Sequence, residues 1–334
     1  MVFPSILRTL GFWVLISGMA VYVYSNLERS NEKEDIYYVY LEGSRILKGE
    51  NPYERVLGSD MLHNDKFSTY FPGIYLISAS IQVAGYDDFE GWHEVWTILN
   101  IGILFLIGLL IFLDLEKRSS LLLAIFGLII LYFHSYSIII LRINHIDFIA
   151  ILFLVLSLKV IERKPLLSLV FFGLSLSMKH MAIFAAPLYL FTLRDSIGWR
   201  RSFTYCVAGI GLPIVVFSLP FIIWNAQGFF KSILFSATRL SGSHFKTLAA
   251  STLVGAEGLI GKLPMLLLFF IIYYLNYTRK IGIRTGVFLI LAVFIGFNSV
   301  LFVQYLIWPV VGMILMLPEL YRAVAPGTSY LRKP

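Results

Sequence analysis

Cysteine is almost absent. Cys206 is the only one in 334 residues, so neither a disulfide framework nor a cysteine-based zinc site is open to this chain. It lies inside an apolar run and reads as a packing residue. Charge is scarce too: 14% of the residues are Asp, Glu, Lys or Arg, against 58% hydrophobic. A soluble surface is not built from so few charges. No basic-aromatic ladder occurs, and no soluble stretch exists to carry one, which excludes nucleic acid as a partner. Internal repeats and low-complexity runs are missing as well. No His and carboxylate set has a recognised metal-ligand spacing, so neither a metal nor a cofactor is indicated.

What is present is apolar sequence in long runs, with a mean hydropathy of +0.80. Runs of about 20 residues cross a bilayer as helices. They read at 6–25, 92–113, 119–140, 146–161, 166–179, 181–193, 203–224, 253–277, 285–299 and 302–320. Val21-Tyr22-Val23-Tyr24 lacks a small-residue cleavage pattern, so 6–25 reads as a retained anchor. The expected fold class is all-α: a polytopic transmembrane bundle of about ten spans, with interfacial helices on its outer face. It forms a single integral membrane domain over 1–334. Within it, 26–91 is an outer loop, 92–320 holds the remaining spans and 321–334 is a cytoplasmic tail. The lipid bilayer is the first partner.

The net charge of +7 is concentrated in connectors. Glu116-Lys117-Arg118, Glu162-Arg163-Lys164, Arg194-Asp195 with Arg200-Arg201, Arg279-Lys280 with Arg284, and the tail all carry Lys or Arg. The positive-inside rule places these in the cytoplasm. Keeping them on one side requires that 71–85 lie on or dip into the outer face. It also requires that 166–193 be two short helices meeting at Lys179-His180. Such a junction is tolerated where it lines a protein cavity. The outer face then collects 26–91, 141–147, 179–180, 225–252 and 300–304.

The unusual polar residues gather on that side. Asp35 opens a segment in which Ile36, Tyr40, Gly43 and Leu47 recur at helical spacing. Asp35, Tyr38, Glu42 and Arg45 share another face of the same helix. Gly49 and Asn51-Pro52-Tyr53 close it. Asn144, His145 and Asp147 stand between two apolar spans, where polar groups are costly unless they line water or a ligand. Lys179 and His180 are charged or polar at membrane depth. Arg239, His244 and Lys246 accompany Ser241-Gly242-Ser243 in a loop suited to holding phosphate. Gln304 and Tyr305 open the last span.

One carboxylate with several cations fits transfer from a phosphate-linked donor. The carboxylate takes the proton of an acceptor hydroxyl, and the cations stabilise the departing phosphate. The series Asp35, Leu47-x-Gly49-x-x-Pro52-Tyr53 and Tyr70-x-Pro72 resembles the first outer loop of GT-C glycosyltransferases, in the alpha-mannosyltransferase-like branch. Asn144-His145-Ile146-Asp147 stands where that branch has an Asn-Gly-Gln-type motif, with His145 in place of Gly and Asp147 near the Gln position. Gly173 through Lys179 matches its Gly…Lys helix. Gln304-Tyr305-Leu306-Ile307-Trp308 resembles its late Gln-Tyr-Leu-x-Trp motif. Together these touch residues 35–309.

The resemblance implies a plasma-membrane enzyme, or an ER-membrane one in a eukaryote, working on the outer or lumenal face. It implies inversion at the anomeric carbon with Asp35 as the base. The donor would be a polyprenyl-phosphate sugar, mannose or another hexose, and the acceptor lipid- or glycan-linked. Lys179, His180, Arg239, His244 and Lys246 are then the donor-phosphate candidates. Tyr38, Tyr53, Asn144, His145, Asp147, Gln304 and Tyr305 are the substrate-binding candidates. The competing class is a polytopic transporter or lipid-linked-sugar flippase, which favours paired repeats and charges distributed along a pathway.

Overall fold

The computed structural model describes residues 5–26, 35–58, 67–238, 258–297 and 302–324, and every regular element among them is helical. In chain order these are α1 (Ser5–Asn26), α2 (Asp35–Leu47), α3 (Gly73–Val83), α4 (Phe89–Arg118), α5 (Leu121–Phe133), α6 (Ser135–Arg142), α7 (Asp147–Val160), α8 (Pro165–Met178), α9 (Ala186–Ile197), α10 (Trp199–Thr238), α11 (Gly258–Tyr277), α12 (Ile283–Gly296) and α13 (Ile307–Val324). Short 3-10 turns cover Glu54–Gly58, His180–Ala185 and Val303–Leu306.

Local chemistry sets many of the boundaries. Asp88 caps α4 by accepting from the Gly91 amide at 2.9 Å, and Ser120 caps α5 through the Leu123 amide. Such caps satisfy amides that have no partner within the helix. Gly49 ends the turn after α2 at φ +74°, a conformation glycine reaches without a steric penalty.

Among the described residues, four helical stretches are long and apolar enough to cross a membrane: Phe89–Arg118, Trp199–Phe235, Ile260–Tyr277 and Val303–Val324. The α5–α6 pair, bent by 43°, makes a fifth if it counts as one span. α3 has 11 residues. At about 1.5 Å per residue it is too short to cross. It packs instead on α2, where Gly43 lets the backbones approach; a Cβ there would sit 2.5 Å from Ser78 Oγ.

Helix directions follow from the side-chain bonds. Trp96 near the start of α4 bonds the Asn144 carbonyl just before α7, and Arg118 at its end bonds Glu162 just after α7. So α4 and α7 run parallel. α8 returns antiparallel, with Ser175 on the Ala150 carbonyl and Ser168 on Ser157. Tyr189 of α9 also reaches Ser157 Oγ, at 2.8 Å.

One end of the bundle therefore collects charged connectors. Arg284 is buried there against Asp114, with Arg118 on Asp114 at 3.0 Å. Glu319 accepts from the Arg284 and Thr285 amides. Asp195 bridges Arg194 and Arg279. The other end carries α2, α3, the start of α4 and the Asn144–Asp147 turn.

The region 225–252, expected to be a loop, is helical as far as Thr238. α10 passes through a kink at Asn225 (φ −156°, ψ 90°) and resumes. Asn225 Oδ1 accepts the Gly228 amide at 2.9 Å, restarting the helix. The resumed part lies over the loop after α2. Gly228 abuts the Tyr53 carbonyl, Phe229 meets the Tyr53 ring at 5.0 Å, and Ser232 bonds the Ser68 carbonyl at 2.6 Å. Phe229 is buried there, cover that a solvated loop would lack.

Candidate functional site

The turn between α6 and α7 is held by its backbone before any side chain acts. The His145 amide bonds the Ile140 carbonyl, and Asn144 adopts φ +52°. Asparagine tolerates this left-handed region better than most residues. Its side chain is then fully engaged: the amide nitrogen meets Thr97 Oγ1 and His93 Nε2, and Oδ1 accepts from Asn100. Asn144 is thus a turn-forming residue buried against α4.

The turn delivers His145 and Asp147 into the protein interior. Asp147 is completely buried. Its Oδ1 accepts from Lys179 Nζ at 2.7 Å and from Trp308 Nε1 at 2.5 Å, and its Oδ2 faces His145 Nδ1 at 2.5 Å. Burying two charges costs several kcal/mol per ion, and only good geometry with further hydrogen bonds offsets it. Asp147 meets that condition with three donors. It is a hub that holds Lys179, His145 and Trp308 together.

Lys179 lies where the chain between α8 and α9 breaks. α8 stops at Met178, Lys179 is extended (φ −151°, ψ 121°), and a 3-10 turn follows. The N-terminus of α3 sits on this break: a Cβ on Gly73 would come 2.7 Å from the Ser177 carbonyl. Lys179 Nζ lies 4.8 Å from the Tyr305 ring centroid and 5.6 Å from that of Tyr70. Both contacts favour a cation over a ring face. One ammonium proton serves Asp147, and the aromatic faces surround the remainder.

A carboxylate only accepts, so His145 Nδ1 carries hydrogen. In the neutral ring Nε2 is then an acceptor, and the Tyr70 hydroxyl lies 3.4 Å from it. Burial, with Tyr305, Asp35 and Asp147 adding to it, raises the Tyr70 pKa well above the ordinary phenol value. The hydroxyl therefore stays protonated and donates. Tyr53 donates to the Tyr70 carbonyl at 2.8 Å and Tyr75 Oη accepts the Tyr70 amide at 3.3 Å, so both sides of the Tyr70 backbone are fixed.

Asp35 stands at the first turn of α2, partly buried. It is close enough to act electrostatically on Tyr70, Tyr75 and Lys179. This brings the α2 carboxylate, the Lys179–Asp147 pair and the His145–Tyr70 contact into one neighbourhood. Tyr305 belongs to it through its ring. Gln304 is buried in the adjoining 3-10 turn.

Other expected site residues lie elsewhere or act indirectly. Tyr53 is a buried support, packed on Tyr75, Phe221 and Phe229. The Tyr38 ring edges onto Tyr37. His180 edges onto Phe71 at 5.9 Å, with its Nδ1 buried and unpartnered. Arg239, His244 and Lys246 fall outside the described residues. No group of three or more His, Cys, Asp or Glu positioned for a metal ion occurs among the described residues.

Two members of the cluster had no assigned role in sequence: Tyr70 and Trp308. Both stand inside motifs read there, Tyr70-x-Pro72 and the segment ending at Trp308. Trp96, Thr97 and Asn100 gave no signal, because α4 reads as an almost unbroken apolar run.

No family model matches this chain, and neither does any curated protein or solved structure.

Proposed function

We propose that this protein is an integral-membrane glycosyltransferase that moves a sugar, mannose or another hexose, from a polyprenyl-phosphate donor to a lipid- or glycan-linked acceptor. The observation that carries the reading is the nearness of Asp35 to Lys179 and Tyr70. A carboxylate at a helix start thus lies within electrostatic range of a buried cation. The reading is completed by the GT-C-like motifs in the sequence.

In this mechanism Asp35 accepts the proton of an acceptor hydroxyl as its oxygen attacks the anomeric carbon. The bond from that carbon to the phosphate oxygen breaks, the phosphate keeps the electron pair, and configuration inverts. Lys179 supplies positive potential, with its position fixed by Asp147. Arg239, His244 and Lys246 are assigned to the phosphate on sequence alone. The basic connectors form the cytoplasmic face of a bundle of about ten spans, counting short helices as spans. The Asp35 end then faces outward, in a plasma or ER membrane.

The break at Lys179 favours a second reading. A polytopic transporter or lipid-linked-sugar flippase also uses interrupted helices around a charged residue. Purified protein supplied with radiolabelled polyprenyl-phosphate-mannose and an acceptor extract separates the two. Transfer by the parent and none by Asp35→Asn supports the enzyme. Full transfer by Asp35→Asn removes Asp35 as base, and movement of intact donor across proteoliposomes without transfer supports the flippase.

A further inference from the structure

A groove of about 400 Å³ opens between the end of α2 and the turn Glu54–Gly58, lined by Arg45, Glu50, Asn51, Glu54, Arg55 and Gly58. None of these residues belongs to the Asp35–Lys179 neighbourhood. The volume lies within the roughly 300–1,000 Å³ usual for small-molecule sites.

Two buried groups beside this groove lack partners. Asn51 is 4% exposed; its Oδ1 accepts the Tyr53 amide at 3.0 Å, but its Nδ2 bonds nothing. Glu42, 1% exposed, holds Arg45 at 2.6 Å and Arg55 at 3.3 Å through Oε1, while Oε2 bonds nothing. An unmet buried donor and an unmet buried acceptor each cost free energy, and native proteins keep few of them. Groups that both donate and accept satisfy such a pair, and hydroxyls do this.

Charge decides against an anion. Arg45 and Arg55 face Glu42, and Glu50 and Glu54 also line the groove, so the carboxylates outnumber the guanidiniums. Both arginines are already committed to Glu42. Arg45 also approaches Glu50 at 3.9 Å, and Arg55 lies over the Phe67 ring at 5.9 Å. A phosphate would meet more repulsion than attraction. An uncharged ligand rich in hydroxyls can donate to the glutamates and accept from Asn51.

The geometry points to a binding site for a neutral saccharide at the Arg45–Asn51–Arg55 groove. Arg45 follows Asp35 by ten positions on α2, roughly 15 Å along the axis at 1.5 Å per residue. The groove is therefore separate from the reacting centre. It holds the part of a sugar chain remote from the attacking hydroxyl. Naming that chain the acceptor rests on the glycosyltransferase reading, whereas the groove's preference for hydroxyls does not.

The test measures binding to the full chain in lipid nanodiscs free of glycoside detergents. Mannotriose, maltotriose and inorganic phosphate are the probes, read by saturation-transfer NMR and calorimetry. The parent should bind at least one trisaccharide, and phosphate no better than a bare nanodisc. Asn51→Asp keeps the Oδ1 bond to Tyr53 but replaces the donor with an acceptor, and should weaken saccharide binding about tenfold, the loss of about one good hydrogen bond. If Asn51→Asp fails to fold, Glu54→Gln on the rim should weaken it at least about threefold. Absence of trisaccharide binding, equal binding by the groove variant, or phosphate competing at the groove each overturns the site. Saccharide binding that survives while sugar transfer is absent overturns the enzyme reading and leaves the groove standing.

Discussion

Lys179 Nζ sits 2.7 Å from Asp147 Oδ1, with both side chains buried and 32 positions apart in the chain. The pair joins the break after α8 to the start of α7. Trp308, from the far end of the sequence, closes the same carboxylate. The pair fixes the arrangement around Tyr70, so its removal has consequences beyond one lost contact.

Asp147→Asn should be strongly destabilising, about 3–5 kcal/mol, because it leaves the Lys179 charge buried and uncompensated. The double variant Asp147→Leu with Lys179→Met should be much less harmed than either single change. Thermal unfolding in a fixed lipid or detergent condition measures both. Independent, additive losses would show that the two residues do not function as a pair.

Asp35→Asn should leave the fold nearly intact. Asparagine is as well accepted as aspartate near a helix start, and loss of the charge at the dipole costs only about 0.3–1 kcal/mol. Sugar transfer should fall by about 10²–10⁴-fold, the usual contribution of a general base. Single-turnover rates with a radiolabelled donor give the number.

Asn144→Ala should destabilise more than Asn144→Gly. Both lose the bonds to Thr97, His93 and Asn100, but only alanine adds left-handed strain, roughly 1–2 kcal/mol. Unfolding midpoints compared side by side test this. Equal losses would mean that the φ of +52° carries no cost.

α4 should cross the membrane with Glu90 outside and Lys117 inside. In a Cys206→Ser background, Glu90→Cys should react with a membrane-impermeant maleimide on intact cells. Lys117→Cys should react only after permeabilisation. Both positions are exposed at opposite ends of the helix. Labelling of both from the same side would overturn the span.

Much of the helical layout could be read from the residues. The break at Lys179-His180 followed from keeping the basic connectors on one side. The helix beginning at Asp35 followed from its periodicity and closing glycine. The short element at 73–83 was expected not to cross. The helix at Asp35 is a local feature, because spacing and turn chemistry act over a few residues, whereas the other two followed from the positive-inside rule. The segment after Asn225 was misread as a loop. Its helix depends on packing over Tyr53 and Ser68, which lie far back in the chain.

The sequence by itself determined that this is an all-helical protein with membrane-spanning stretches, and that its basic connectors alternate with polar turns. It also singled out Asp35, His145, Asp147 and Lys179 as residues out of place in apolar surroundings. Only the tertiary structure decided what each one touches. It made Asp147 the partner of Lys179, His145 and Trp308, packed Asn144 against α4, put His180 against Phe71, and brought Tyr70 to His145. The physical reason is that a buried charge is tolerable only beside its counter-charge. Periodicity along one helix cannot say which distant residue that will be.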